Sequence, residues 1–206
     1  MINSGEGGFL CTDDPELAAR AACYAGCYEF LYQQHTLAPP AEYFERVKLE
    51  TPNYSLRMSD LTACCIRPQL ETLDARAAVY NARYARICAA LSGCEHIHVP
   101  ETLVRVSAVS DSLQFNLRGM SEVQIDGFVR STRRRGMPVS LFGSKDNARN
   151  FANWRYSPIA RAVPATAAVI HAAVDVRLPL TFDDADFDAM AAVLLAAVDD
   201  AMCEAE

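Results

Sequence analysis

Apolar positions recur along the chain in two rhythms, one near 3.6 residues and one near 2, and the change between them divides the sequence. The longest helical signal runs through Ile66, Leu70, Leu73, Ala77, Tyr80, Tyr84, Ile87 and Leu91, spaced alternately four and three apart. It predicts one continuous helical seam, with Pro68 kinking its start or opening a new segment and Gly93 ending it. Upstream, Gly5-Glu6-Gly7-Gly8 predicts a tight turn feeding a short extended segment over 9–12. Asp13-Asp14-Pro15-Glu16 then opens a helix that should run to about Tyr28, with a carboxylate cap and proline in the first turn. Residues 30–53 form a long connection carrying Pro39-Pro40 and Pro52, with a short helix over 43–47.

After Gly93 the period shortens. Residues 96–99 and 103–109 look extended, and Leu113, Phe115 and Leu117 alternate with Gln114 and Asn116 as a half-buried strand. Ser121 and Glu122 open a helix closed by Arg133-Arg134-Arg135-Gly136, with cations at the negative dipole end. A short strand over 139–142, an Asn- and Arg-rich segment around Trp154, an apolar helix over 165–173 and a strand over 176–179 follow. The last helix starts at Asp183-Asp184 and aligns Phe187, Met190, Leu194 and Ala197 on one face. The order predicts an α+β module built on a helical spine.

The chain has 206 residues, 51% hydrophobic and 22% charged, which suits a real core rather than disorder. A net charge of −7 speaks against a nucleic-acid partner bound through phosphate neutralisation. No apolar run approaches the roughly 18 residues of a membrane span, and the first residues lack the pattern of a secretory leader. Eight cysteines in a chain of this length read as reduced, partly buried thiols, so a cytoplasmic protein is expected. Only Lys48 and Lys145 among the 19 basic residues are lysines, which restricts any chemistry that needs an amine nucleophile.

Taken singly, the candidate chemical features have ordinary readings. The Gly5–Gly8 turn lacks the Lys-Ser/Thr of a phosphate-binding loop. Cys94, His96 and His98 would share one face of a strand at metal-ligand spacing, but no fourth ligand stands out and an exposed strand edge is preferred. Arg133–Arg135 reads as a solvated helix end.

Three segments taken together say more. Asn3-Ser4-Gly5-Glu6-Gly7-Gly8-Phe9-Leu10-Cys11-Thr12-Asp13-Asp14 resembles the stretch just after the catalytic lysine of DegT/DnrJ/StrS-type aminotransferases. Asn53-Tyr54-Ser55-Leu56-Arg57-Met58-Ser59-Asp60-Leu61 is similar to that family's Asn-Tyr-Arg-Met segment, with two residues inserted before the Arg. Arg67-Pro68-Gln69-Leu70 through Leu73-Asp74, followed by Asn81-Ala82-Arg83-Tyr84, resembles its Gln-Leu-x-x-Leu helix.

The resemblance implies the C-terminal portion of a fold type I pyridoxal-phosphate transferase. It assigns residues 1–50 to a remnant of the cofactor-binding large domain and 51–206 to the small domain. The activity implied is transfer of an amino group from an amino acid to a sugar or cyclitol keto substrate by the full-length enzyme. The lysine position falls at or before Met1, so no catalytic residue is assigned and this chain alone is expected to be inactive, without stable pyridoxal phosphate. By the same resemblance, Asn53 and Arg57 would bind the cofactor phosphate across a homodimer interface, although Asn53 also reads simply as a turn cap. Where many relatives carry His-Tyr, this chain has Leu141-Phe142-Gly143, so substrate contacts there do not transfer. Two alternatives remain at this point: an accessory subunit completed by a separate N-terminal half, and a non-catalytic protein dimerising through the long seam.

Overall fold

The computed structural model describes residues 2–27, 38–102, 105–156 and 163–203. The chain divides into two compact units, Ile2–Leu73 and Asp74–Glu206. The packing boundary falls between Leu73 and Asp74, whereas the large-domain and small-domain division is expected after residue 50.

In the first unit, α1 (Pro15–Tyr24) starts as the sequence demands, with Asp14 Oδ1 accepting the N–H groups of Glu16 and Leu17 at 2.9 and 3.2 Å. It ends before Ala25 and Gly26, short of the expected Tyr28, which lies outside the described residues. The second helix, α2 (Ala41–Val47), follows Pro40. Ala19 and Cys23 of α1 bury against Phe44 and Val47 of α2. Arg20 and Arg46 both engage Glu16, tying the two helices along their polar edge. Hydrogen bonding to the Arg20 guanidinium, with the Arg46 charge nearby, holds the Glu16 carboxyl below its ordinary range.

The expected strand over 9–12 is absent: the segment has no ladder partner and is exposed. Phe9 and Leu10 stand out in solvent, 62% and 61% accessible. An isolated extended segment satisfies its backbone with water instead of a sheet.

The predicted seam is also broken. It forms α3 (Asp60–Leu70) and α4 (Leu73–Leu91), separated by a turn at Glu71 and Thr72. Pro68 lies inside the last turn of α3, where its missing N–H leaves the Cys64 carbonyl without its helical donor and loosens the turn that precedes it. The spacing holds on α4 but not on α3, where Leu70 is 47% exposed. Ile66 is buried on α3, and Tyr80, Ile87 and Leu91 are buried on α4.

The second unit is an antiparallel sheet whose apolar face is covered by three helices. Strands β1 (Ile97–His98), β2 (Ser112–Leu117), β3 (Ser140–Leu141) and β4 (Ala173–Arg177) are ordered β1-β2-β4-β3. Leu113 pairs with Val176 and Phe115 with Val174, so the alternation puts one apolar face inward. That face meets Ile87 and Leu91 of α4, Ile125 and Phe128 of α5 (Glu122–Arg134), and Phe187, Leu194 and Ala197 of α7 (Asp184–Cys203). Phe115 and Phe128 meet edge to face at 6.2 Å.

The capping box at α5 is complete. Ser121 accepts from the Gln124 N–H, and the Gln124 side chain accepts from the Ser121 N–H. The arginine run at its end does more than face solvent, because Arg135 donates to Asp200 of α7 at 2.9 Å. Two strand expectations and one helix end shift. Residues 105–109 are not a strand, while 103 and 104 lie outside the described residues. Helix α6 (Pro164–His171) stops early, and β4 begins at Ala173 instead of 176. Val174 and Val176 gain burial that way, and Pro179, which cannot donate to a ladder, falls after the strand.

Candidate functional site

The end of α1 and the segment after Pro52 build one corner of the first unit. Gly26 takes φ +90°, and its N–H returns to the Cys23 carbonyl at 2.9 Å. The Tyr24 carbonyl accepts from the Tyr54 and Leu56 N–H groups at 3.0 and 3.4 Å. The Tyr24 and Tyr54 rings stack with centroids 5.5 Å apart and planes 6° from parallel.

Between those two backbone bonds, Ser55 sits at φ +54°, a left-handed conformation that costs a non-glycine residue about 1–2 kcal/mol. Asn53 offsets that cost, its Oδ1 accepting from the Ser55 N–H at 2.7 Å. The turn-capping reading of Asn53 is therefore realised, but only by its carbonyl oxygen.

The same side-chain amide lies over Gly26. A Cβ placed on Gly26 would lie 2.8 Å from Asn53 Oδ1, 3.2 Å from Asn53 Nδ2 and 3.0 Å from Arg57 Nη1. The structure thus brings Asn53 and Arg57 to one point over a glycine, in spite of the two residues between Tyr54 and Arg57. Both side chains are exposed. Among the described residues, neither Asn53 Nδ2 nor the Arg57 guanidinium has a hydrogen-bond or ion-pair partner.

A neutral amide donor beside a guanidinium suits a phosphate monoester, because Arg can donate bidentately and the amide adds a bond without adding charge. The residues at this corner therefore fit the phosphate end of pyridoxal phosphate. They do not fit its aldehyde end, which needs an amine. Lys48 follows α2 and is ion-paired with Glu45, and Lys145 belongs to the other unit.

Neighbouring contacts brace this corner. Gly7 takes φ +122°, which favours glycine, and Met58 Cε lies 2.5 Å from where its Cβ would be, so the Gly5–Gly8 turn packs close to Met58. Asn3 and Gln69 exchange two hydrogen bonds, Asn3 N to Oε1 at 2.9 Å and Nε2 to Asn3 O at 2.7 Å.

In the second unit, the residues that resembled family positions hold the fold. Asn81 clamps the 108–110 loop through Ala108 O and Ser110 N, and Arg83 lies over the Phe187 ring and donates to Pro179 O. Tyr84 bonds to Cys88, and burial pushes its hydroxyl up to about 12. His96 bonds to the Arg118 carbonyl at 2.9 Å, and among the described residues no three His, Cys, Asp or Glu side chains converge as metal ligands.

Leu141 and Phe142 line a cavity of about 810 Å³ that also involves Arg149, Asp175, Phe182 and Met190. Asp175 is 8% exposed there and accepts from Gln114 Nε2 at 3.2 Å. Gly143 is fixed by close approach, since a Cβ would fall 2.6 Å from His171 Cα. This cavity escaped the sequence because it assembles short pieces of distant segments, none with its own signal. Gly26 was missed too: only the fold shows that α1 ends against residue 53.

The model of the DegT/DnrJ/EryC1/StrS aminotransferase family matches residues 1–194. Among solved structures, the chain is similar to Spr1654 of Streptococcus pneumoniae, assigned as a sugar aminotransferase. That apo form is 12% identical with a TM-score of 0.67 over 83% of this chain and 47% of that one. The same protein has been solved in PLP and PMP forms. DesI, solved in the presence of its TDP-sugar product, is 17% identical with a TM-score of 0.68, over 99% of this chain and 48% of that one. The aminotransferase TlmJ from Streptoalloteichus hindustanus is 18% identical with a TM-score of 0.63, over 95% and 48%. No curated protein matches the sequence. The chain thus spans about half the length of these solved relatives, and its fold is the corresponding part of fold type I.

Proposed function

We propose that this chain, which belongs to the DegT/DnrJ/EryC1/StrS aminotransferase family, supplies the C-terminal half of a pyridoxal-phosphate-dependent transaminase acting on a sugar or cyclitol ketone. Residues 1–50 are the end of its large domain and 51–206 its small domain. The observation that carries the reading is the convergence of Asn53 and Arg57 over Gly26, an anion corner without a local amine.

When bound, pyridoxal phosphate supplies the electron sink through which an amino group passes between donor and acceptor. The part this chain plays is to hold the phosphate. Arg57 supplies charge and two donors, Asn53 Nδ2 supplies a neutral donor, and the Ser55 turn fixes the angle between them. The cofactor so held is one seated in a neighbouring subunit of a cytoplasmic dimer. Among the described residues, no helix is long and apolar enough to cross a membrane.

Exposed Phe9, Leu10, Leu56 and Leu61 support completion by further polypeptide, whether in the same chain or as a separate half to which this one is accessory. On this reading the 206 residues alone do not transaminate. Borohydride reduction with pyridoxal phosphate should label no single lysine stoichiometrically, and no amino donor should turn over. One labelled lysine together with turnover would sink the reading. Intact mass of the protein captured from its own cells decides the arrangement: about twice 22.6 kDa for one continuous enzyme, or 22.6 kDa for a split one.

A further inference from the structure

We infer that Tyr24 and Gly26 are positioning residues of the anion corner, so that the end of α1, and not only the segment bearing Asn53 and Arg57, sets its affinity for a phosphate group. This deepens the reading above and rests on it.

Two constraints fix the geometry. The first is room. The space that a side chain at residue 26 would occupy is already taken by Asn53 Oδ1 at 2.8 Å, Arg57 Nη1 at 3.0 Å and Asn53 Nδ2 at 3.2 Å. Any L-side chain must displace the two groups that would donate to the anion. At φ +90° it would also strain the backbone.

The second constraint is register. One carbonyl, that of Tyr24, accepts both the Tyr54 and the Leu56 N–H, and the stacked Tyr24 and Tyr54 rings lie beside that double bond. These contacts grip both sides of Ser55, whose φ of +54° turns the chain so that Asn53 and Arg57 fall on the same side. Without the grip, Ser55 relaxes toward the extended region and the donors separate. A preorganised pair meets an anion without first losing side-chain freedom, which is why the supporting residues govern affinity.

The test uses the 206-residue chain with inorganic phosphate as the probe, followed through the nitrogen-15 resonances of the Asn53 side-chain amide and Arg57 Nε. In the parent both should shift saturably. Arg57→Ala should abolish the response and Arg57→Lys should keep part of it. Gly26→Ala should weaken phosphate binding at least tenfold, and Tyr24→Leu severalfold. Both should also move the Asn53 amide resonance before phosphate is added, a signature that a general loss of stability does not give.

If Gly26→Ala fails to fold, Tyr24→Leu decides. If the parent shows no saturable shift, the anion-site reading falls and this inference falls with it. If Arg57→Ala loses binding while the foldable Tyr24 and Gly26 variants bind like the parent, the site stands and the positioning role is overturned.

Discussion

The two units are held together by different means. In Asp74–Glu206, one apolar sheet face and three helices share a continuous core from Ile87 to Ala201. In Ile2–Leu73, the buried cluster among the described residues is Ala19, Cys23, Phe44 and Val47, and much of the remaining order comes from polar contacts: Asp14 on α1, Glu16 with Arg20 and Arg46, Asn3 with Gln69, Asn53 with Ser55. Apolar packing is undirected and tolerant of detail, whereas hydrogen bonds fix angles. The unit with the smaller core is the one that aims two donors at a point. The unit with the larger core carries an open cleft.

That contrast makes its strongest prediction in the cores. Phe128→Ala should cost about 3–5 kcal/mol and remove the cooperative transition of the larger unit. Phe44→Ala should cost nearer 3 kcal/mol and shift a separate, earlier transition. Urea unfolding followed by amide exchange in each unit reads both. A single transition moved equally by both variants would erase the distinction.

Alkaline titration gives a smaller effect confined to the larger unit. Burial raises the Tyr84 hydroxyl to about 12 from an ordinary value of 10. The folded state therefore holds that proton more tightly than the unfolded chain, and the associated stability is complete below pH 10 and is lost as the pH rises toward 12. The loss attributable to Tyr84 should be about 1 kcal/mol after allowance for its partial exposure. Tyr84→Phe should lack it; an unchanged profile would show that Tyr84 is not the group responsible.

The smallest effect belongs to the smaller unit. Asp14→Ala, removing two cap bonds, should cost about 1 kcal/mol. That loss should appear as faster amide exchange at Glu16 and Leu17 with none in α5 or α7.

What could be read in the sequence follows the same division. Where one periodic face and one cap act together, the element was legible: α5 from Ser121 through its arginines, α7 from Asp183, and β2 from its alternation. Where the outcome depends on a partner supplied from elsewhere, it was not. Residues 9–12 have strand composition but no strand beside them. β4 moved to Ala173 because β2 and β3 both pair with it there. The seam broke after Leu70 because spacing records which face is apolar, not where the backbone hydrogen bonds stop. Asn53 and Arg57 were visible only through a family resemblance, and their meeting over Gly26 only through folding, since no local rule links residue 26 to residue 57.

The strand order also bears on how the protein comes to be made. β4, the last of the described strands in chain order, lies between β2 and β3. As the chain leaves the ribosome, β1 and β2 can pair at once, but β2 waits with an open edge, and β3 without any partner, until residues 173–177 emerge. Closure of the sheet is a late, long-range event, and every nascent intermediate before it carries an unpaired strand edge. The timing of residue 173 therefore sets how long the growing chain is exposed to pairing with its neighbours.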